Sequence, residues 1–327
     1  MRANSDGCLT MRRLFMVLSP RSLPYARLAL ASLFLNAIEP FELILITDSN
    51  EDKVALSNEM HLIANGQGML RCSWSVVSYS DLDVQEVERF ERYENIRNFR
   101  RGHPCWRKIT DPILLSSDTQ EMIVLDPDIY FPNKFQFEPT PKDGLLLMWQ
   151  RPSCLLPAAV VQNAFSSGVK LAHHTDIGVA QWRMPVELDW LDWLLGKLGS
   201  PNLPRSMHVE SIVWAALALR KGGGYLDPAL WVCWHRSQFK RVIKKMGASG
   251  PFILGSEDWK TMKCFHAGGE AKWWLEEARN RGLLSSSGSV PDAGSISPFV
   301  ELSSRQFEAI EQRRRWLRRC GYYKLFS

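Results

Sequence analysis

The sequence predicts an α/β fold: a mixed, mostly parallel sheet flanked by helices, followed by a basic helical tail. Three observations carry this. Short apolar runs recur through the first 130 residues, LFMVL (14–18), ELILIT (42–47), CSWSVV (72–77) and MIVL (122–125). Helical patterns separate them. Several end abruptly, at Ser19-Pro20, Asp48 and Asp126. Runs this short read as buried strands, and strands alternating with helices form parallel sheets covered on both faces.

The elements follow in order. SLPYARLALASLFLN (22–36) starts with Ser22 as N-cap and is apolar around most of its circumference, as a buried helix is. Residues 81–100 read as one charged helix with Val84, Val87, Phe90, Tyr93, Ile96 and Phe99 at every third position. CWRKITDPILL (105–115) reads as a short helix interrupted near Pro112. In the second half, LLLMW (145–149), DIGVAQW (176–182) and CFHA (264–267) read as strands, and 187–198, 206–220 and 270–281 as helices. Trp190 and Trp193 lie in the first of these helices and read as core. The organisation is then one α/β domain over 11–283, a Ser/Gly/Pro-rich linker over 284–302 and a basic amphipathic helix over 303–327.

Composition narrows the function classes. The formal charge is +5, and the stretch from Ser303 to Ser327 alone has seven Lys/Arg against two Glu. The remaining body is close to neutral, which argues against nucleic acid as a partner. Seven scattered cysteines with no CxxC pair point to reduced thiols in a cytoplasmic protein. No apolar run reaches the roughly 18–20 residues that span a bilayer, and the five-residue patch near the start is too short for a signal peptide. Met11 reads as an alternative start. In the tail, Phe307, Ile310 and Leu317 share a helical face among arginines. That pattern fits peripheral contact with an anionic membrane surface, at the inner face, or docking on the body with solvated arginines.

Ligands of such sheets bind beyond the carboxyl ends of the strands, where Asp48 and Asp126 fall. In MIVLDPDIYF, Pro127 holds Asp126 extended, and Asp126 and Asp128 at i and i+2 share a face. Two such carboxylates repel unless a cation lies between them, and Mg²⁺ or Mn²⁺ with substrate phosphates meets that need. FHAGGEAKWW (265–274) adds a histidine that can ligate a metal, a Gly pair that admits a close backbone approach, and Lys272 for phosphate. His173-His174 beside Asp176 would put adjacent rings on opposite faces of a strand and is discounted as a metal site. Asp227, before Pro228, reads as a turn residue.

These stretches resemble the GT-A-fold glycosyltransferases. IVLDPDIYF looks like their acid-pair strand, and His266, Gly269, Lys272 and Trp273 follow the His-x-x-Gly-x-x-Lys-Pro-Trp pattern of family 8, the glycogenin and lipopolysaccharide galactosyltransferase group, with Trp273 in the proline position. The resemblance implies a GT-A fold and metal-dependent transfer from a nucleoside-diphosphate sugar, a UDP-sugar foremost, to a hydroxyl of a glycan or glycolipid acceptor. It implies Asp126, Asp128 and His266 as ligands of Mn²⁺ (or Mg²⁺), Gly269 and Lys272 at the phosphates, and Arg107 or Lys108 as the basic residue before the acid pair. Ser19, Tyr25 and Asp48 would hold base and ribose, and Trp273 and Trp274 would form a sugar wall. Where the family has Asn-(Ser/Ala)-Gly this chain has Thr175-Asp176-Ile177-Gly178, and in place of Asp-Gln-Asp the nearest segment is His208-Val209-Glu210. Asp176 and Glu210 are thus the candidates for contacting the donor sugar or activating the acceptor. A nucleotidyltransferase is the alternative enzyme class, although SPRSLPY (19–25) lacks the glycines its first loop needs. A non-catalytic sugar- or nucleotide-binding scaffold is the third reading.

Overall fold

A computed structural model describes residues 11–65, 72–151, 153–235, 237–289 and 293–322. The four N-terminal apolar runs form β1 (Arg12–Val17), β2 (Phe41–Thr47), β3 (Cys72–Ser78) and β4 (Glu121–Leu125). Further along lie β5 (Ile129–Tyr130), β6 (Leu145–Trp149), β7 (Thr175–Arg183), β8 (Gly223–Tyr225), β9 (Trp231–Cys233), β10 (Cys264–His266) and β11 (Ser297–Pro298). The main sheet has the order β11-β8-β6-β7-β4-β1-β2-β3, and β5-β10-β9 form a small second sheet. β1 pairs in parallel with β2 and β4, β2 with β3, and β6 with β8. β7 runs against both its neighbours, β4 and β6, and β11 runs against β8. The predicted mixed, mostly parallel α/β architecture is what the chain adopts.

The helices are α1 (Leu23–Asn36), α2 (Asn50–Asn65), α3 (Asp83–Phe90), α4 (Glu94–Arg100), α5 (Arg107–Leu115), α6 (Ala158–Ser166), α7 (Leu188–Leu198), α8 (Val209–Lys221), α9 (Gln238–Lys245), α10 (Gly250–Leu254), α11 (Leu275–Asn280) and α12 (Ser304–Arg319). Apolar residues of α5, α7 and α8 pack one face of the sheet, around Trp106, Trp182 and Trp214. α1 and α2 cover the other, around Leu30, Leu45 and Phe131.

Several expectations change. Residues 81–100 form two helices, because apolar residues every third position drift around a helix of 3.6 residues per turn. The chain breaks at 91–93, and Val84 and Val87 are left exposed. α5 continues through Pro112, with residues 107–114 all buried, so tertiary packing overrides the local proline signal. Trp193 is 43% exposed rather than core. His173 and His174 stack with ring centroids 3.6 Å apart, because His174 has a left-handed backbone (φ 60°) instead of strand geometry. The stretch read as a linker is tied down in part: β11 adds to the sheet edge, and Ser295 donates from its amide and its hydroxyl to Asp227.

The tail is docked. Phe307 is buried against Phe165, Ile310 packs on the same core, and an Arg314 guanidinium donates to Ser153 O at 2.8 Å. Phe307 and Ile310 of the apolar stripe are thus used on the body, as the docking reading of the tail expects. Among the described residues no helix is long and apolar enough to cross a membrane.

Candidate metal and nucleotide-sugar site

Strand pairing brings the distant motifs together. β4 delivers Asp126 to the sheet edge, and Ile129 N closes the Asp126-Pro127-Asp128 turn on Asp126 O at 3.3 Å. β5 follows at once and pairs antiparallel with β10, so His266 lies opposite Ile129. Ala267 N then donates to Asp128 O at 3.0 Å. Because β7 is antiparallel to β4, its first residues share this edge, and Asp126 N donates to Gly178 O at 2.9 Å.

His266 is the hub. Its Nε2 lies 3.3 Å from Asp128 Oδ1 and 3.6 Å from Asp126 Oδ2, while Nδ1 lies 2.7 Å from Asp176 Oδ1. Asp128, Asp176 and His266 are buried, at 7%, 5% and 8% exposure, and Asp126 is half-buried. Ligand atoms around an octahedral ion at ~2.1 Å stand about 3 Å apart. The Nε2–carboxylate spacings match that, so the two carboxylates and the imidazole fit a divalent cation. Asp176, bonded to Nδ1, is the kind of carboxylate partner that orients an imidazole and fixes its tautomer.

Gly178 makes this approach possible. A Cβ there would lie 2.6 Å from His266 Nδ1 and 2.8 Å from Ile129 Cδ1. In the sequence this glycine stands out only within the Thr175-Asp176-Ile177-Gly178 departure from the family pattern. A glycine inside an apolar strand is itself a sign of close approach. Cys233 was not anticipated. Register with β10 brings its Sγ to 3.4 Å from Asp176 Oδ2, and burial pushes its thiol up to about 12, so it acts as a neutral donor. Nothing in the sequence marks it.

Two lysines bracket the acids. Lys108, on the first turn of α5, bonds Asp126 at 2.5 Å and Glu210 Oε1 at 2.8 Å. Lys272 Nζ is 3.3 Å from Asp128 Oδ2. Burial favours protonated Asp128, but His266 and Lys272 outweigh it and hold its carboxyl at about 2. Burial raises Asp126, and Lys108 and His266 only partly oppose it. Burial also raises Glu210, to about 8, and its Oε2 has no partner. At His266 burial disfavours the charge, yet Asp176 and Asp128 raise its pKa well above the usual value.

A cavity of about 170 Å³ opens beside this cluster. Ser19, Tyr25, Asp48, Lys108, Asp126, Asp128 and Lys272 line it, so seven of the sequence candidates meet at one cavity. Arg107 stands behind, bonded to Asp48 and to Thr47 O. Gly269 lies in the turn after His266 with φ +65°, a conformation suited to glycine. Asp176 and Glu210 are not on the cavity wall: Asp176 holds His266, and Glu210 sits behind Lys108. Tyr25 is covered by Lys272, whose Nζ lies 4.5 Å from the ring centroid, with Trp273 edge-on at 5.1 Å. Trp273 is exposed at the mouth, whereas Trp274 packs on Gly250 and Trp234 as a structural residue.

No protein-family model matches the chain, and no curated protein matches its sequence. Among solved structures, mouse xyloside xylosyltransferase 1 in its apo form superposes with a TM-score of 0.51, at 11% identity, over 80% of this chain and 98% of that one. The chain has the GT-A fold. GlyE of Streptococcus pneumoniae TIGR4, a glycosyltransferase, superposes at TM-score 0.44 with 11% identity, over 82% of this chain and 60% of that one. The galactosyltransferase LgtC, in complex with donor and acceptor sugar analogs, gives 0.43 with 10% identity over 84% and 100%. In this GT-A chain the acid pair follows β4 of the main sheet, and His266 on the small sheet and Lys272 close on it beside the cavity.

Proposed function

We propose that the protein is a metal-dependent glycosyltransferase that moves a sugar from a nucleoside-diphosphate sugar, a UDP-sugar foremost, to a hydroxyl of a glycan or glycolipid, as in surface polysaccharide or glycolipid synthesis. One observation carries the proposal: Asp126, Asp128 and His266 offer three ligand atoms within 4.8 Å of one another, with a lysine on either side. The GT-A fold, shared with a protein named as a xylosyltransferase, supports the reaction class.

A bound Mn²⁺ or Mg²⁺ would supply Lewis-acid stabilisation of the charge that develops on a departing diphosphate. The chain's own residues prepare for it. Asp176 takes the Nδ1 proton of His266 as a hydrogen bond and leaves Nε2 facing the acid pair. Lys272, near the mouth and bonded to Asp128, is the cation placed to transfer its contact to a phosphate. Asp48 and Ser19 also line the cavity and would hold ribose and base, and Arg107 fixes the Asp48 carboxylate. Lys108 keeps Asp126 and Glu210 from repelling each other. Asp176 is assigned as a positioning residue for His266, and Glu210 as one for Lys108.

Nucleotide-sugar hydrolysis tests this. Wild-type turnover should require the metal, and Asp128→Ala should lower it by orders of magnitude while circular dichroism stays unchanged. Metal-dependent hydrolysis at the wild-type rate in Asp128→Ala contradicts the proposal.

A further inference from the structure

We infer that α9, together with the outward arginines of α12 beside it, is a docking face for an anionic membrane surface. α9 buries none of its residues. Phe239 is 71% exposed, Val242 44% and Met246, at its C-cap, 81%. Their i, i+3, i+7 spacing puts them on one side of the helix. A helix on a water-soluble body ordinarily turns such a stripe inward and its charges outward. α9 does the reverse. Lys240 bonds Glu257 and lies 5.7 Å over Trp234, while Lys244 bonds Glu270 and lies 4.8 Å over Trp274. With two lysines pinned to the body, the apolar stripe is held facing out.

Charge selects the occupant. α9 has four Lys/Arg and no acid, and α12 has six Arg and two Glu, so the two helices carry +8 where the whole chain carries +5. The rest of the molecule is therefore net negative. Tyr322, just past α12, joins the two: it bonds Gln238 Oε1 at 2.5 Å, and the Arg241 guanidinium lies 5.9 Å from its ring centroid. Arg313, Arg315, Arg318 and Arg319 are exposed, and so is Trp316. Apolar side chains beside an excess of cations, with a tryptophan, suit the headgroup region of an anionic bilayer. A second copy of the chain is a poorer occupant, because its own basic face would repel this one. The Lys244–Glu270 pair joins α9 to the segment between His266 and Lys272, so docking there would set the cavity mouth close to the lipid. The inference stands on α9 and α12 alone and does not depend on the proposed sugar transfer.

Sedimentation of the full chain with vesicles tests it. Mixed phosphatidylcholine/phosphatidylglycerol vesicles should bind the protein, and pure phosphatidylcholine vesicles should not. High salt should weaken that binding about tenfold or more by screening. The double substitution Phe239→Ser/Met246→Ser should also weaken it about tenfold, with Tm unchanged because both side chains are exposed. Absence of binding, equal binding to neutral vesicles, or binding indifferent to the double substitution overturns the inference. So does a concentration-dependent dimer that the double substitution abolishes, since it assigns the face to a second copy.

Discussion

The His266 ring lies between Asp176 on its Nδ1 side and the Asp126/Asp128 pair on its Nε2 side, and in the metal-free chain a proton on Nε2 stands where the metal would be. Its raised pKa has a definite sign of effect. A histidine favoured in its charged form contributes stability in full below its unfolded pKa of about 6.5, and loses it as pH rises through the higher folded value. The metal-free protein should therefore lose Tm as pH rises above about 6.5, and His266→Gln should flatten that slope. Mn²⁺ affinity should rise over the same window, because binding displaces the Nε2 proton. Calorimetry with and without Mn²⁺ checks both; affinity independent of pH contradicts the ligand assignment. Gly178→Ala is the complementary test. The added methyl meets the imidazole, so Mn²⁺ affinity should fall about 10- to 100-fold, as for loss of an orienting partner. Unchanged affinity in a folded Gly178→Ala protein contradicts the role of that close approach. The acid pair, His266 and Lys272 were legible from sequence because each sits at a strand end or a glycine turn. The Asp176–His266 contact was not, because it depends on β7 running antiparallel to β4, which no local pattern specifies.

α5 carries Arg107 and Lys108 into the site, and its position rests on a buried ion cluster. Arg100, fully buried on α4, bonds Asp111 Oδ1 at 2.8 Å, Glu86 and Tyr79 O, and lies 3.9 Å from the Tyr79 ring centroid. Removing one partner of such a cluster leaves a carboxylate buried and uncompensated. Arg100→Ala should cost about 3–5 kcal/mol in urea unfolding, well above the effect of an exposed substitution such as Val84→Ser. A cost below about 1 kcal/mol would show that the cluster does not anchor α5. The strands of the first half were legible because their apolar runs are short and sharply closed. The division into α3 and α4 was readable only from the mismatch between a three-residue repeat and the helical period. The course of α5 through Pro112 was not readable at all, since burial of its surroundings decides it.

For the whole molecule, the sheet order sets where chemistry can occur. β1, β2 and β4 are parallel and β7 is antiparallel, so Ser19, Asp48, Asp126 and Asp176 all emerge at one edge. The small sheet then pins His266 across that edge. Sequence supplied the parallel half of this plan, while the β5–β10 pairing that closes the site joins two- and three-residue strands too short to recognise in advance. The tail illustrates the same limit: its apolar stripe was visible, but only the structure shows that Phe165 covers it. Donor binding with and without metal tests the central claim most directly. In a thermal-shift panel of nucleoside-diphosphate sugars, one donor class should raise Tm in the presence of Mn²⁺ and not in its absence, and Asp128→Ala should abolish the shift. At a hundred times Kd the stabilisation should be about 2.7 kcal/mol. No shift with any donor at saturating Mn²⁺, or a shift that survives Asp128→Ala, contradicts a metal-dependent nucleotide-sugar site.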